Sequence, residues 1–204
     1  TVTAEVSEES LAAAEIARKA VDAIYATVEE NKEYLGRIDA IAGDGDHGIG
    51  MSRGSKAAAE AASAAQGGVE TVLSAAGHAF GDRAGGTSGI LWGLLLEGVG
   101  NRLGNTEAVT AKRLADAVQG SAQHLQGFSK AELGDKTMLD ALFPFVDTLV
   151  GQVDAGASKC EGRAARGDVH RAQPRERVQN LLGDSVREVV VVGARPSAPC
   201  AVSH

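Results

Sequence analysis

SEESLAAAEIARKAVDAIYATVEENKEYL, residues 7–35, is the stretch that decides the fold. Ser7 can cap a helix start, and Leu11, Ile16, Ile24, Val28 and Leu35 fall mostly on one broad stripe with charges opposite. That is the pattern of a long amphipathic helix with one face in a core. RIDAIAGDGDHGIG (37–50) breaks it with four glycines and three aspartates. Helical patterns resume in MSRGSKAAAEAASAA (51–65), stopped by Gly67 and Gly68, and in VETVLSAAGHAF (69–80), stopped by Gly81. A second glycine-rich loop, GDRAGGTSG (81–89), leads into the apolar helix ILWGLLLEGVGN (90–101). EAVTAKRLADAVQGSAQHLQGF (107–128) is amphipathic. KTMLDALFPFVDTLVGQV (136–153) is helical, with Pro144 either kinking it or falling near its beginning. No alternating strand pattern occurs in the first 150 residues. The expectation is an all-α domain whose glycine-rich loops are more than connectors.

Composition narrows the function classes. The chain has 204 residues, enough for one domain with a sizeable core, and 44% of them are hydrophobic. Only 3% are aromatic, so that core must be built from Ala, Leu, Val and Ile. A formal charge of -7 argues against a nucleic-acid or anionic-membrane binder, which needs a basic face. The longest apolar run, 90–96, is far short of the roughly 20 residues that span a bilayer. The acidic start lacks the order of a secretory signal. A cytoplasmic protein without nucleic-acid or membrane partners is expected.

The charge is unevenly spread. Residues 1–150 carry a net -9, whereas 151–204 carry +2, both cysteines (Cys160 and Cys200), three of the four prolines and seven of the thirteen arginines. We therefore read 1–152 as the helical domain. Residues 153–204, with the strand-like run REVVVV, read as a divergent, poorly packed end of the same domain, of the kind a shifted reading frame produces.

Three segments carry chemistry. In DAIAGDGDHG (39–48), Asp39, Asp44 and Asp46 stand at i, i+5 and i+7, with glycines that allow a sharp turn. Such crowded carboxylates suit a hard, oxygen-ligated cation such as Mg²⁺; they equally suit a solvated acidic turn with an Asx cap. The loop lacks the twelve-residue EF-hand pattern. His47 beside it is either a surface residue or a donor to a phosphate oxygen. In GGTSG (85–89), backbone N–H groups, the Thr87 and Ser88 hydroxyls and a helix N-terminus suit a phosphate; the plainer reading is an N-cap by Thr87 or Ser88. In GDKTM (134–138), Asp135 or Thr137 can cap the next helix, Lys136 could reach a phosphate, and Met138 is soft enough to pack on an adenine.

Taken together and in this order, GDGDHGIGMSRG, GGTSGILWG and GDKTMLDALFPFVDTL resemble the signatures of the nucleotide-binding L subunit of dihydroxyacetone kinase, over residues 5–152. The resemblance implies an antiparallel barrel of about eight amphipathic helices. It implies two Mg²⁺ ions held by Asp39, Asp44 and Asp46 against the phosphates of ADP or ATP. Phosphate contacts would come from His47, Gly48, Ile49 and Gly50, hydroxyls from Thr87 and Ser88, and an adenine contact from Met138. It also implies a partner K subunit that carries the ketose and, in some versions, a phosphohistidine-bearing third subunit. No catalytic residue is assigned on this chain, because neutralisation and positioning do most of the work of phosphoryl transfer.

This chain departs from the family pattern in two places. Ser129 or Lys130 stands where the family has a glycine. The tail keeps only Gly162-Arg163-Ala164 of the segment that encloses the nucleotide. A fatty-acid kinase module has a similar metal loop, but typically with Thr where His47 stands. A non-enzymatic regulator, an inactive pseudo-subunit and a homodimer seam on an apolar helix face are the alternatives left open.

Overall fold

The computed structural model describes residues 5–41 and 43–155. Among these there are six helices and no strand: α1 (Glu8–Asp39), α2 (His47–Ala64), α3 (Val69–Ala84), α4 (Gly86–Leu103), α5 (Ala111–Ser129) and α6 (Leu139–Asp154). The all-α expectation is met, with six of the expected eight helices in view. The expected REVVVV strand, both cysteines and the Gly162-Arg163-Ala164 echo lie outside the described residues. No helix among the described residues is long and apolar enough to cross a membrane.

Each helix packs mainly on its neighbours in sequence, and α1 also touches α3. The chain direction alternates. Arg18 near the start of α1 donates to the carbonyls of Ala62 (3.0 Å) and Ala65 (2.8 Å) at the end of α2. Gly54 early in α2 lies on Phe80 and Ala84 at the end of α3, Gly100 late in α4 lies on Leu73 and Glu70 at the start of α3, and Lys112 at the start of α5 reaches Asp154 at the end of α6. Alternation puts the α1–α2, α3–α4 and α5–α6 turns at one end, which is also the end at which α2, α4 and α6 begin.

Two apolar clusters fill the bundle. The larger joins Ala14, Ala17 and Val21 of α1 to Ala58 and Ala62 of α2, to Val72, Ala76 and Phe80 of α3, and to Val99 and Leu103 of α4. The smaller, around Leu95, Leu125, Leu139, Leu142 and Val146, joins α4 to α5 and α6; Trp92 and Val118 touch both. With so few aromatics, the volume is filled by bringing backbones close together. A Cβ on Gly77 would sit 2.6 Å from the Gly93 carbonyl oxygen, and a Cβ on Gly93 the same distance from that of Gly77.

That close packing corrects three expectations. The buried face of α1 is Ser10, Ala14, Ala17 and Val21, whereas Leu11 (46% exposed) and Ile24 (36%) lie off it, because only small residues fit where α1 meets its neighbours. Gly81 does not stop α3, which runs on to Ala84; it is Gly93 of α4 that must lack a Cβ, since one there would sit 3.1 Å from the Gly81 nitrogen. The first turn of α4 already includes Gly86 to Gly89, so most of GGTSG is helix and only Gly85 precedes it. Ser7 caps α1 as expected, accepting from the Ser10 N–H at 3.1 Å. Pro144 lies in the second turn of α6.

Candidate functional site

The α1–α2 turn gathers Asp39, Asp44 and Asp46 so that one carboxylate oxygen of each lies within 4.8 Å of the others. Asp39, the last residue of α1, is fixed: its Oδ2 accepts from the N–H groups of Gly45 (3.0 Å) and His47 (3.4 Å). Asp44 accepts from the Asp46 N–H at 3.3 Å. The Asp44 carboxylate beside Asp46 pushes the Asp46 carboxyl above its ordinary 3.8, with Asp39 adding to the effect. Like charges this close resist joint ionisation unless a cation neutralises them. The donor set is three carboxylates without Cys or His, which fits a hard divalent cation.

The turn is held by packing beneath it. A Cβ on Gly48 would overlap the Lys32 carbonyl oxygen, so α2 leaves α1 in near-backbone contact. A Cβ on Gly50 would sit 2.8 Å from the Ala84 carbonyl oxygen, and one on Gly89 would sit 2.6 Å from the Ala84 Cβ. Ala84 thus joins the starts of α2 and α4. Of the residues that the resemblance marks for phosphate contact, Gly48 and Gly50 turn toward protein, His47 is half-buried and Ile49 is 50% exposed. The Ile49 and Gly50 N–H groups bond the Asp46 carbonyl at 2.9 and 3.0 Å.

Thr87 and Ser88 are exposed in the first turn of α4. Neither caps the helix: the N-cap is Gly85, at φ 73, and Gly86 follows at φ 64. The plainer reading of those two residues as caps is therefore set aside. The N-cap residues of α2 and α4, Asp46 and Gly85, make no side-chain cap; Asp39 takes the first N–H of α2 from across the turn, and the start of α4 presents its positive end at the carboxylate end of the bundle.

Met138 immediately precedes α6 and packs partly into the smaller cluster. The turn before it is braced by hydrogen bonds. The N-cap of α6 is Met138 rather than Asp135 or Thr137; Thr137 Oγ1, one residue earlier, accepts from the Leu139 N–H at 3.3 Å, and Asp135 accepts from the Glu132 N–H at 2.9 Å and stays within the loop. Asp140, which the sequence reading passed over, accepts from Gly134 N–H (2.7 Å) and Thr137 N–H (3.0 Å). Its signal was present as Thr137-Met-Leu-Asp140, the spacing of a capping box. Of Ser129 and Lys130, Ser129 is the last residue of α5 and Lys130 follows it at φ 54, a conformation that glycine adopts without cost. A further pair missed from sequence lies behind the acidic turn, where the buried Ser52 hydroxyl donates to the Glu29 carboxylate across α1 and α2. This bond holds the Glu29 carboxyl below its ordinary 4.5. A groove of about 820 Å³ runs beside this pair, lined by Lys32, Gly36, Arg37, Gly45 and Ile49 among others.

Fold and site together define an all-α bundle with a carboxylate cluster and open helix N-termini at one end. The chain belongs to the DAK2 domain family, which matches residues 41–173. It is 46% identical to the L-erythrulose kinase of Pectobacterium atrosepticum, over 73% of this chain and 26% of that protein. It is 45% identical to the D-erythrulose kinase of Mycolicibacterium smegmatis, over 79% of this chain and 28% of that protein. It thus spans about a quarter of the length of these relatives. The ADP-binding subunit DhaL of the PEP-dependent dihydroxyacetone kinase 2 of Listeria innocua is 33% identical, with 72% of this chain and 69% of that protein covered. The dihydroxyacetone kinase of C. freundii in its native form shares the fold, with a TM-score of 0.64 at 22% identity over 92% of this chain and 36% of that one. The resemblance expected from the three motifs and the all-α fold are both borne out.

Proposed function

We propose that this chain is the nucleotide-binding part of a ketose kinase: it presents Mg-ADP or Mg-ATP to a short-chain ketose carried elsewhere, on a K subunit or K domain. The observation that carries the reading is that three sequence-distant motifs reach one end of the bundle, where three carboxylate oxygens lie within 4.8 Å of one another. Asp39, Asp44 and Asp46 would hold Mg²⁺, as one or two ions. His47, Thr87 and Ser88 would meet the phosphates, helped by the N-termini of α2 and α4, with Gly48, Ile49 and Gly50 forming the turn beneath, and Met138 would meet the base. Bound Mg²⁺ would neutralise charge on the transferred phosphoryl group. The dihydroxyacetone kinase from C. freundii in complex with AMP-PNP and Mg²⁺, which shares this fold, supports the choice of cofactors. The erythrulose kinases among the relatives make erythrulose the first acceptor to try, ahead of dihydroxyacetone. Neither acceptor is selected by residues of this chain on this reading, because the ketose is held by its partner.

The test is calorimetric titration of ADP and ATP into the purified chain, with Mg²⁺ and then with EDTA. Mg-dependent binding of about one nucleotide per chain is expected, lost about a hundredfold in Asp44→Asn and in Asp46→Asn while the helical circular dichroism persists. Equal affinity in the wild type and both variants would refute the site. A regulator or pseudo-subunit would bind the nucleotide yet give no ketose phosphorylation with a K subunit.

A further inference from the structure

We propose that Asp140 is the positioning residue of the α5–α6 turn, holding Met138 where the base end of a nucleotide would meet it. This rests on the nucleotide reading above. The two oxygens of one carboxylate divide the work: Oδ1 takes the Gly134 N–H at 2.7 Å and Oδ2 takes the Thr137 N–H at 3.0 Å, so a single side chain closes both ends of the turn. Between those anchors the backbone is unfavourable. Gly134 has φ 104 and Lys136 has φ 61, the latter a left-handed conformation that a non-glycine residue rarely adopts. Such backbone persists only where its surroundings over-determine it, and the Asp140 carboxylate is what does so here. Asp135 ties the preceding half of the loop to Glu132, and Thr137 Oγ1 accepts from the Leu139 N–H, so the turn is braced from three sides with Asp140 central. Met138 then enters α6 with its side chain partly buried beside Leu139 and Leu142, and its orientation follows from the turn's.

A role limited to favourable charge at the start of α6 would be met by any carboxylate there. A positioning role needs the short reach of Asp, because Glu places its oxygens one methylene further out. Asp140→Asn and Asp140→Glu in the full chain separate the two. The readouts are calorimetric affinities for Mg-ADP and for Mg-pyrophosphate, together with tryptic cleavage after Lys136. Both variants should lose about tenfold in affinity for ADP and stay within about twofold for pyrophosphate, which has no base, with faster cleavage at Lys136. Should Asp140→Asn fail to fold, Asp140→Glu, which keeps the charge, carries the test alone. Wild-type ADP affinity in Asp140→Glu, or a parallel fall in pyrophosphate affinity, would overturn the assignment of Asp140 while leaving the nucleotide site standing. A wild-type chain that binds neither ligand would overturn the nucleotide reading, and this assignment with it.

Discussion

The two ends of the bundle treat their helix termini in opposite ways. At the end away from the aspartates, neighbouring elements cap one another. Asn105, just after α4, accepts from the first-turn N–H groups of Glu70 (3.1 Å) and Thr71 (3.4 Å) in α3 and donates to Thr71 Oγ1 at 3.1 Å, while its carbonyl accepts from Ser7 N–H at 3.0 Å. The fully buried Ser10 hydroxyl accepts from Val69 N–H at 3.1 Å. Arg18 covers the last carbonyls of α2, and Arg113 donates to that of Leu103 in α4 at 2.8 Å. At the aspartate end, α2 and α4 begin without side-chain caps, carboxylates crowd together, and hydroxyls and apolar side chains such as Ile49 stand exposed. Capped termini contribute stability; open ones leave N–H groups and charge for a ligand. One end therefore ties neighbouring helices to one another, whereas the other spends its side-chain acceptors within its own turns.

The comparison can be broken most sharply at Gly48, where the two roles meet. Gly48→Ala drives a Cβ into the Lys32 carbonyl, a backbone atom that no rotamer change can move. A loss of about 3 kcal/mol or more is expected in urea unfolding, together with loss of Mg-dependent nucleotide binding, because the turn carrying Asp44 and Asp46 must shift. Stability and binding both at wild-type values would show that α1 and α2 do not meet this closely.

Asn105→Ala tests the capped end alone. It removes two accepted bonds and one donated bond at the start of α3, for about 2 kcal/mol, and should leave nucleotide affinity within twofold. A fall in affinity larger than the fall in stability explains would mean that the two ends are not independent.

The smallest effect expected is at Glu29. Its folded pKa lies below the ordinary 4.5, chiefly through the Ser52 hydrogen bond. The stabilisation is therefore present above pH 4.5 and is lost as pH falls through the folded value. Glu29→Gln, half-exposed and unable to ionise, should narrow the gap between neutral and acid stability, and chemical unfolding at a series of pH values would read it. An unchanged acid limb would remove the Glu29–Ser52 bond from the account of how α1 is tied to α2.

Most helices were legible in the sequence, because Ser7, Gly67-Gly68 and the apolar runs of α4 and α6 are local signals. Faces and glycine roles were not. Leu11 and Ile24 look like core residues by hydrophobicity, yet the core side of α1 is alanine, a choice made by how closely other helices approach. Gly81 looks like a stop until Gly93 is seen beside it. Asp140 stood in plain view within a quoted motif, but its reach back to Gly134 depends on how the turn folds.

By itself the sequence determined the class of the fold, the identity of the three motifs and their family, since these rest on periodicity and on residue order along the chain. Only the tertiary structure decided that the motifs share one end, that Gly85 rather than Thr87 or Ser88 stands at the start of α4 there, and that glycines rather than large side chains set the spacing beneath them. Those outcomes depend on which backbones touch, and contacts between residues tens of positions apart leave no periodic trace in the chain that makes them.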